Sequence, residues 1–165
     1  MTVYDPPVAT YIPLQTITLG SAASSVTFAD IPATYRDLVL VANGTTVASN
    51  VYVVLQLNAD DASNYSNVFM VGFGSTTESI ASTDTSIKRS GMGDSQSTVI
   101  WQLVDYSATD KHKTVLSRWG ANSSTNVAAA AGRWANTSAI NSVKVYPEST
   151  TFTSGSTFSL YGIEA

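Results

Sequence analysis

The chain has 165 residues, of which 44% are hydrophobic, and this is enough to close one folded core of ordinary size. Only 12% are charged, about half the usual share. The formal net charge is −4 and the basic residues are scattered, which argues against a nucleic acid or an anionic membrane surface as a partner. There is no cysteine, and this excludes disulfides and thiolate metal sites.

The small share of charge is made up by Ser and Thr, which together form roughly a quarter of the chain. Thr favours strands through its branched Cβ, whereas the Glu, Lys, Gln and Arg typical of helix surfaces are scarce. The composition therefore indicates β-structure.

Residues 1–10 predict an extended N-terminal arm, because Pro6-Pro7 cannot lie inside a helix and biases the preceding residue toward an extended backbone. The first residues contain neither a basic segment nor an apolar run, so they do not resemble a signal peptide. Nowhere do 18 apolar residues follow one another, and no membrane span is predicted.

Short apolar segments with a period of two follow the arm, separated by Gly, Asn, Asp, Ser and Pro, as is typical of strands. The clearest is 51–57, where Val51, Val53, Leu55 and Leu57 share one face. The other predicted strands are 11–19 (in two pieces), 25–28, 37–42, 68–73, 98–104, 114–119, 127–134, 142–146 and 156–163. Eight to ten strands and no segment of helical period predict an all-β sandwich or barrel, with 11–165 as one domain.

Two segments are less clear. Ala128 to Ala131 could be helical, but Gly132 and the strands on both sides favour a strand packed closely by a neighbour. The polar segment 74–97 has few large apolar residues, and we expect a surface excursion or interface loop there.

Acid–base or nucleophilic catalysis usually needs a histidine, a cysteine or closely placed carboxylates. The single histidine, His112, lies in a charged turn and is expected to be solvated. The sequence Gly-Asp-Ser-Gln at 93–96 is similar to a hydrolase motif but lacks the strand-to-helix context, so we interpret it as a chance match. No catalytic residue, cofactor or metal site is predicted.

The segment 58–64 gathers several oxygen ligands, including Asp60, Asp61 and Asn64. The alternation of a calcium loop breaks at Ala62 and no bidentate Glu follows. An Asx-rich turn that bonds its own backbone is the favoured interpretation.

Aromatic side chains are the remaining candidates for binding. Trp101 and Trp119 lie at apolar positions of predicted strands and are expected in the core. Tyr65 and Trp134, the latter beside Arg133, are predicted to be exposed, as contacts for a subunit interface or for a glycan. The sequence does not separate these two roles.

Three segments resemble a module found in virion proteins of tailed bacteriophages, of the tail-fibre or minor structural type. They are Ile-Pro-Ala-Thr-Tyr at 31–35, Asn-Tyr-Ser at 64–66 and Gly-Ser-Thr-Phe-Ser-Leu-Tyr-Gly-Ile at 155–163. The resemblance extends from about residue 11 to the C-terminus. It implies a non-enzymatic structural protein of the virion, made in the host cytoplasm, and it carries no assigned catalytic residues.

A sandwich with a short arm and no stalk suits a capsid decoration (cement) protein, and by analogy with such proteins the expected fold is a jelly-roll-like antiparallel β-sandwich. Other virion proteins, the major capsid protein or tail proteins, are then the expected partners, and a homo-oligomer with trimer symmetry is favoured. The alternative is a tail-fibre component that binds host carbohydrate, and a hydrolase using Asp60 or Asp61 is a third, weaker hypothesis. The arm contact with the particle is assigned to Val3, Tyr4, Pro6, Pro7 and Val8, since an extended segment can add to a neighbour's sheet edge.

Overall fold

The computed structural model describes residues 10–121 and 127–164, and within these ranges the regular structure consists of strands alone. The predicted all-β class is therefore confirmed. The described part of the chain offers no helix that could cross a membrane. The twelve strands are β1 (Tyr11–Thr18), β2 (Val26–Phe28), β3 (Asp37–Gly44), β4 (Val51–Leu57), β5 (Tyr65–Phe73), β6 (Thr76–Asp84), β7 (Ile87–Met92), β8 (Ser97–Val104), β9 (Lys113–Ala121), β10 (Val127–Trp134), β11 (Val143–Pro147) and β12 (Thr157–Ile163).

The strands form two antiparallel sheets that pack face to face as a β-sandwich. The large sheet has the order β1-β12-β3-β8-β9-β10-β5-β6, and the small sheet has the order β2-β11-β4-β7. Four pairs join early strands to late ones: β1 with β12, β2 with β11, β3 with β8, and β4 with β7. This is one long hairpin rolled into two sheets, which is the jelly-roll arrangement that the sequence analysis expected.

Two further antiparallel pairs, β5–β6 and β9–β10, are inserted into that plan. Both extend the large sheet beyond β8, giving β8-β9-β10-β5-β6. The β5–β6 pair closes through a two-residue turn at Gly74-Ser75, where Gly74 adopts a φ of 68° that suits glycine. The large sheet therefore projects past its small partner.

The core lies between the sheets and is built from the strand faces that alternation predicts. Leu55 and Leu57 of β4 belong to one cluster of buried residues together with Trp101 and Leu103 of β8. Trp101 is fully buried, as expected, and Trp119 is partly buried against the same cluster. A smaller cluster under the projecting strands is formed by Phe69, Val71, Ala128 and Ala130.

The prediction of a loop at 74–97 is wrong, because this segment forms β6 and β7. In β6 the side chains are almost all Ser, Thr, Ala or acidic, and most are exposed, so the strand shows little hydrophobic contrast. In β7 the buried positions include Ser90 and Gly91, which carry little apolar surface, and the ring of Trp119 occupies the space where a Cβ of Gly91 would lie. By contrast, the alanine-rich segment is the strand β10, as predicted, with alternate residues buried.

Candidate functional site

Tyr65 and Trp134 are buried, so the prediction that they are exposed contacts is wrong. Their exposed fractions are 0% and 1%, and their rings stack with centroids 6.2 Å apart. The Tyr65 hydroxyl donates to the backbone carbonyls of Leu57 and Asp60, and burial raises its pKa well above the usual value of 10.0. Alternation along β5 and β10 places both rings on the core face. Neither ring offers a face to a glycan.

The turn between β4 and β5 is tied to this aromatic pair through Asp60. The Asp60 carboxylate accepts from the backbone N–H of Ala62 at 3.0 Å, from Asn64 Nδ2 at 2.8 Å and from Trp134 Nε1 at 2.7 Å. The first of these bonds confirms the Asx turn. The amide of Asn64, with further help from the other donors, holds the pKa of Asp60 below its usual 3.8 despite partial burial. Asp60 is therefore a structural anchor, and its oxygens are already engaged.

The lowered pKa of Asp60 gives a pH-dependent contribution to stability. A carboxyl whose pKa is lower in the folded state stabilises the protein above its unfolded pKa of about 4, and this contribution is lost as the pH falls through the folded value. We expect Asp60→Asn to be less stable than wild type at pH 7 in urea denaturation, and the difference to shrink as the pH falls below the usual carboxyl pKa of about 4. Asp61→Asn, which removes the adjacent exposed carboxylate, is the control. An equal and parallel pH dependence in both variants would contradict the role of Asp60.

The other residues singled out by sequence are dispersed. Arg133 is exposed, and its guanidinium lies 3.5 Å from the Ser66 hydroxyl. His112 is exposed just before β9, as expected. The Gly-Asp-Ser-Gln segment forms the turn between β7 and β8, where the Gly93 carbonyl accepts the backbone N–H of Thr46.

In the described ranges, no three His, Cys, Asp or Glu residues cluster as metal ligands. The predicted arm contact (Val3, Tyr4, Pro6, Pro7, Val8) lies outside the described residues.

Lys113, the first residue of β9, is a buried cation that the sequence analysis missed. Its side chain is 1% exposed, and its ammonium donates to the carbonyls of Ala108 at 2.5 Å, Lys111 at 3.0 Å and Thr137 at 3.1 Å. Burial lowers the pKa of this ammonium. The period-two pattern of β9 would have found it, since Lys113, Val115 and Ser117 share the inner face. Like Asp60, Lys113 fastens loops to the fold.

A further exposed feature is the face of the large sheet, from β8 to β6, that points away from the core; it is here called the outer face. It consists of the outward residues of β8, β9, β10, β5 and β6, in register across the sheet. One row runs Gln102, Leu116, Ala131, Val68, Ala81, and the next runs Ile100, Arg118, Ala129, Met70, Ser79. Large apolar side chains stand exposed on it: Val68 at 44%, Met70 at 53%, Leu116 at 44% and Val127 at 66%. Exposed apolar groups concentrated on one surface indicate a contact site.

Charge is nearly absent from the outer face. Its only ionisable residues are Arg118 and Arg133, and the other outward positions carry apolar, Ser, Thr, Gly or Gln side chains. At a strand spacing of about 4.8 Å and about 3.4 Å per residue, five strands with four outward residues each cover about 650 Å². A standard interface buries about 800 Å² per partner, so the outer face approaches that size. Interfaces are depleted in Lys and acidic residues and enriched in Met and Arg, which matches this composition.

No protein-family model matches the chain, and a search of curated proteins finds no match either.

Proposed function

We propose that this chain is a non-enzymatic structural protein of a tailed-bacteriophage particle, a capsid decoration protein that binds the assembled shell and stabilises it. The proposal joins the resemblance of its sequence to phage virion modules with the jelly-roll sandwich and the outer face. The observation that carries it is the outer face itself, an almost uncharged surface with exposed apolar side chains that approaches the size of a standard interface. Homo-oligomeric association is also part of the proposal.

The state of the reactive side chains supports a structural role rather than catalysis. The Asp60 carboxylate accepts hydrogen bonds from Trp134, Asn64 and Ala62, and the Lys113 ammonium is surrounded by backbone carbonyls. Asp105 is paired with Lys111 at 2.8 Å, and Lys88 lies between Asp84 and Glu148 at 3.1 and 3.0 Å. These groups stabilise turns and strand ends of the protein itself.

The mechanism of a decoration protein is thermodynamic. A protein that binds only the assembled shell adds RT ln(1 + [L]/Kd) to the stability of that state, about 2.7 kcal/mol per site at a free concentration of 100 Kd. A rigid sandwich loses little conformational entropy when its outer face docks. The outer face suits such docking, since its side chains sit on paired strands rather than on loops.

The test is occupancy on purified particles. We expect Val68→Lys, which places a charge among the exposed apolar residues of the outer face, to weaken binding to the shell by at least tenfold, because the ammonium must lose water on docking. Thr27→Lys, an exposed position on β2 of the small sheet, is the matched control and should bind as wild type. Equal binding of both variants, or a location at the tail with few copies, would contradict the proposal.

The arm supplies a second test. Deleting residues 1–10 should abolish particle binding and leave the circular dichroism spectrum and the unfolding midpoint of the sandwich unchanged, because the deletion ends before β1 begins. Occupancy that does not fall would refute the assignment of the arm as the strap.

The carbohydrate-binding alternative rests on exposed aromatic side chains. Tyr65 and Trp134 were its candidates, and both are buried against each other. No observation on the described surface favours this second function over the first.

A further inference from the structure

The strand β6 is the last strand of the large sheet, and its far side forms an unprotected edge. It has nine residues, each paired with β5 without a register shift, and no other described strand pairs with its far side. It contains no Pro, Lys or Arg. Natural edge strands usually carry such residues, a bulge or a very short length, because a bare edge offers its N–H and C=O groups to another strand.

The other three edges of the two sheets do have such protection. The strand β1 contains Pro13 and an irregular register between Pro13 and Gln15. The strand β2 is only three residues long. The strand β7 has a register shift opposite Val53 and Leu55 of β4. The bare edge of β6 is thus an exception within this fold.

The sequence of β6 is complementary to itself in the antiparallel direction. With Ile80 opposite Ile80 of a second copy, Ser79 faces Ala81, Thr77 faces Thr83, Glu78 faces Ser82 and Thr76 faces Asp84. No like charges are directly opposed in this register. The diagonal neighbour of Glu78 is Asp84, which is already paired with Lys88 at 3.1 Å. Ile80 of each copy, half-buried against the cluster of Phe69 and Val71, would also be covered by its counterpart.

We infer that two copies of this chain associate by antiparallel pairing of their β6 strands about a two-fold axis at Ile80. The result is one continuous sheet of sixteen strands, twice the eight in each copy. The pairing sets the two outer faces side by side and doubles the surface proposed to meet the shell, and to that extent it rests on the proposed function. It predicts a dimer, or an assembly of dimers, in place of the trimer expected from sequence.

Two double variants, each of which adds two charged residues to β6, test both the contact and its register. In the register above, Ser79→Lys with Ala81→Lys opposes lysines across the axis twice, whereas Ser79→Lys with Ala81→Glu opposes Lys and Glu twice. We expect the dimer dissociation constant from sedimentation equilibrium to be at least tenfold higher for the first variant than for the second. Thr16→Lys with Thr18→Lys, exposed positions on β1 at the opposite edge, should associate as wild type.

Circular dichroism establishes that each variant folds, and solution measurements need no particle, so this inference and the proposed function can fail separately. A wild-type monomer or trimer that neither edge variant alters would overturn the inference. Equal weakening by both edge variants would overturn the register. A dimer that is lost on deleting residues 1–10 but retained in the edge variants would assign the contact to the arm instead.

Discussion

Replacing Trp134 with alanine is expected to lower the free energy of unfolding by about 3–5 kcal/mol, the range for truncating a large buried aromatic residue. The Trp134 side chain is 1% exposed and its ring stacks on Tyr65. The substitution removes that packing and also the indole N–H, which donates to Asp60 at 2.7 Å. Urea denaturation followed by circular dichroism measures the loss, and the fluorescence of the remaining tryptophans, Trp101 and Trp119, provides a second probe of the transition.

Two companion variants separate the contributions. Trp134→Phe keeps an aromatic ring against Tyr65 but removes the indole donor, and we expect a loss of about 1–3 kcal/mol because Asp60 loses a charge-assisted hydrogen bond. Arg133→Ala, the exposed neighbour on the outer face, should change stability by no more than about 0.5 kcal/mol. If Trp134→Ala were as mild as Arg133→Ala, the indole would not be a core residue, and its role as an exposed contact would have to be reconsidered.

The sequence predicted the jelly-roll strands well because their buried faces carry hydrophobic contrast. Val51–Leu57 is recovered with its bounds, since Val and Leu alternate with Tyr and Gln over most of its length. The strand β6, which belongs to one of the inserted pairs, was harder to predict. In β6 the outward and inward faces both carry small polar residues, because the small sheet does not cover this strand. A signal did exist in Gly74-Ser75, a two-residue pair typical of a tight hairpin turn.

The candidate site could be predicted only in part, because the face of each strand depends on tertiary register. In β10 each face carries two alanines among its four residues, so most of the strand shows no hydrophobic contrast between its faces. Only pairing with β5 settles the matter: Trp134 lies opposite Tyr65, and Ala131 opposite Val68. The outer face is assembled from five strands whose spatial order differs from their chain order, and for that reason no single segment of sequence reveals it.

Replacing Lys113 with methionine is expected to cost about 2–4 kcal/mol of stability, although methionine fills much the same volume. The aliphatic stem would still pack, but the carbonyls of Ala108, Lys111 and Thr137 would lose their shared donor. Those carbonyls belong to the β8–β9 and β10–β11 loops, so one ammonium holds two loops at the same end of the sandwich. Lys111→Met is the control, because its exposed ammonium forms a solvent-screened surface ion pair with Asp105 and should contribute little to stability.

The contributions of Lys113 and Trp134 to stability should also depend on each other. Lys113 lies opposite Trp134 in the β9–β10 register, and Thr137, whose carbonyl binds the ammonium, follows Trp134 by three residues. Substitutions at neighbouring sites that share a support are not additive. We therefore expect the double variant Lys113→Met, Trp134→Ala to lose less stability than the sum of the single losses, by about 1 kcal/mol, because either change alone already loosens the chain after β10. Additive losses would show that the two loops are held independently, each by its own anchor.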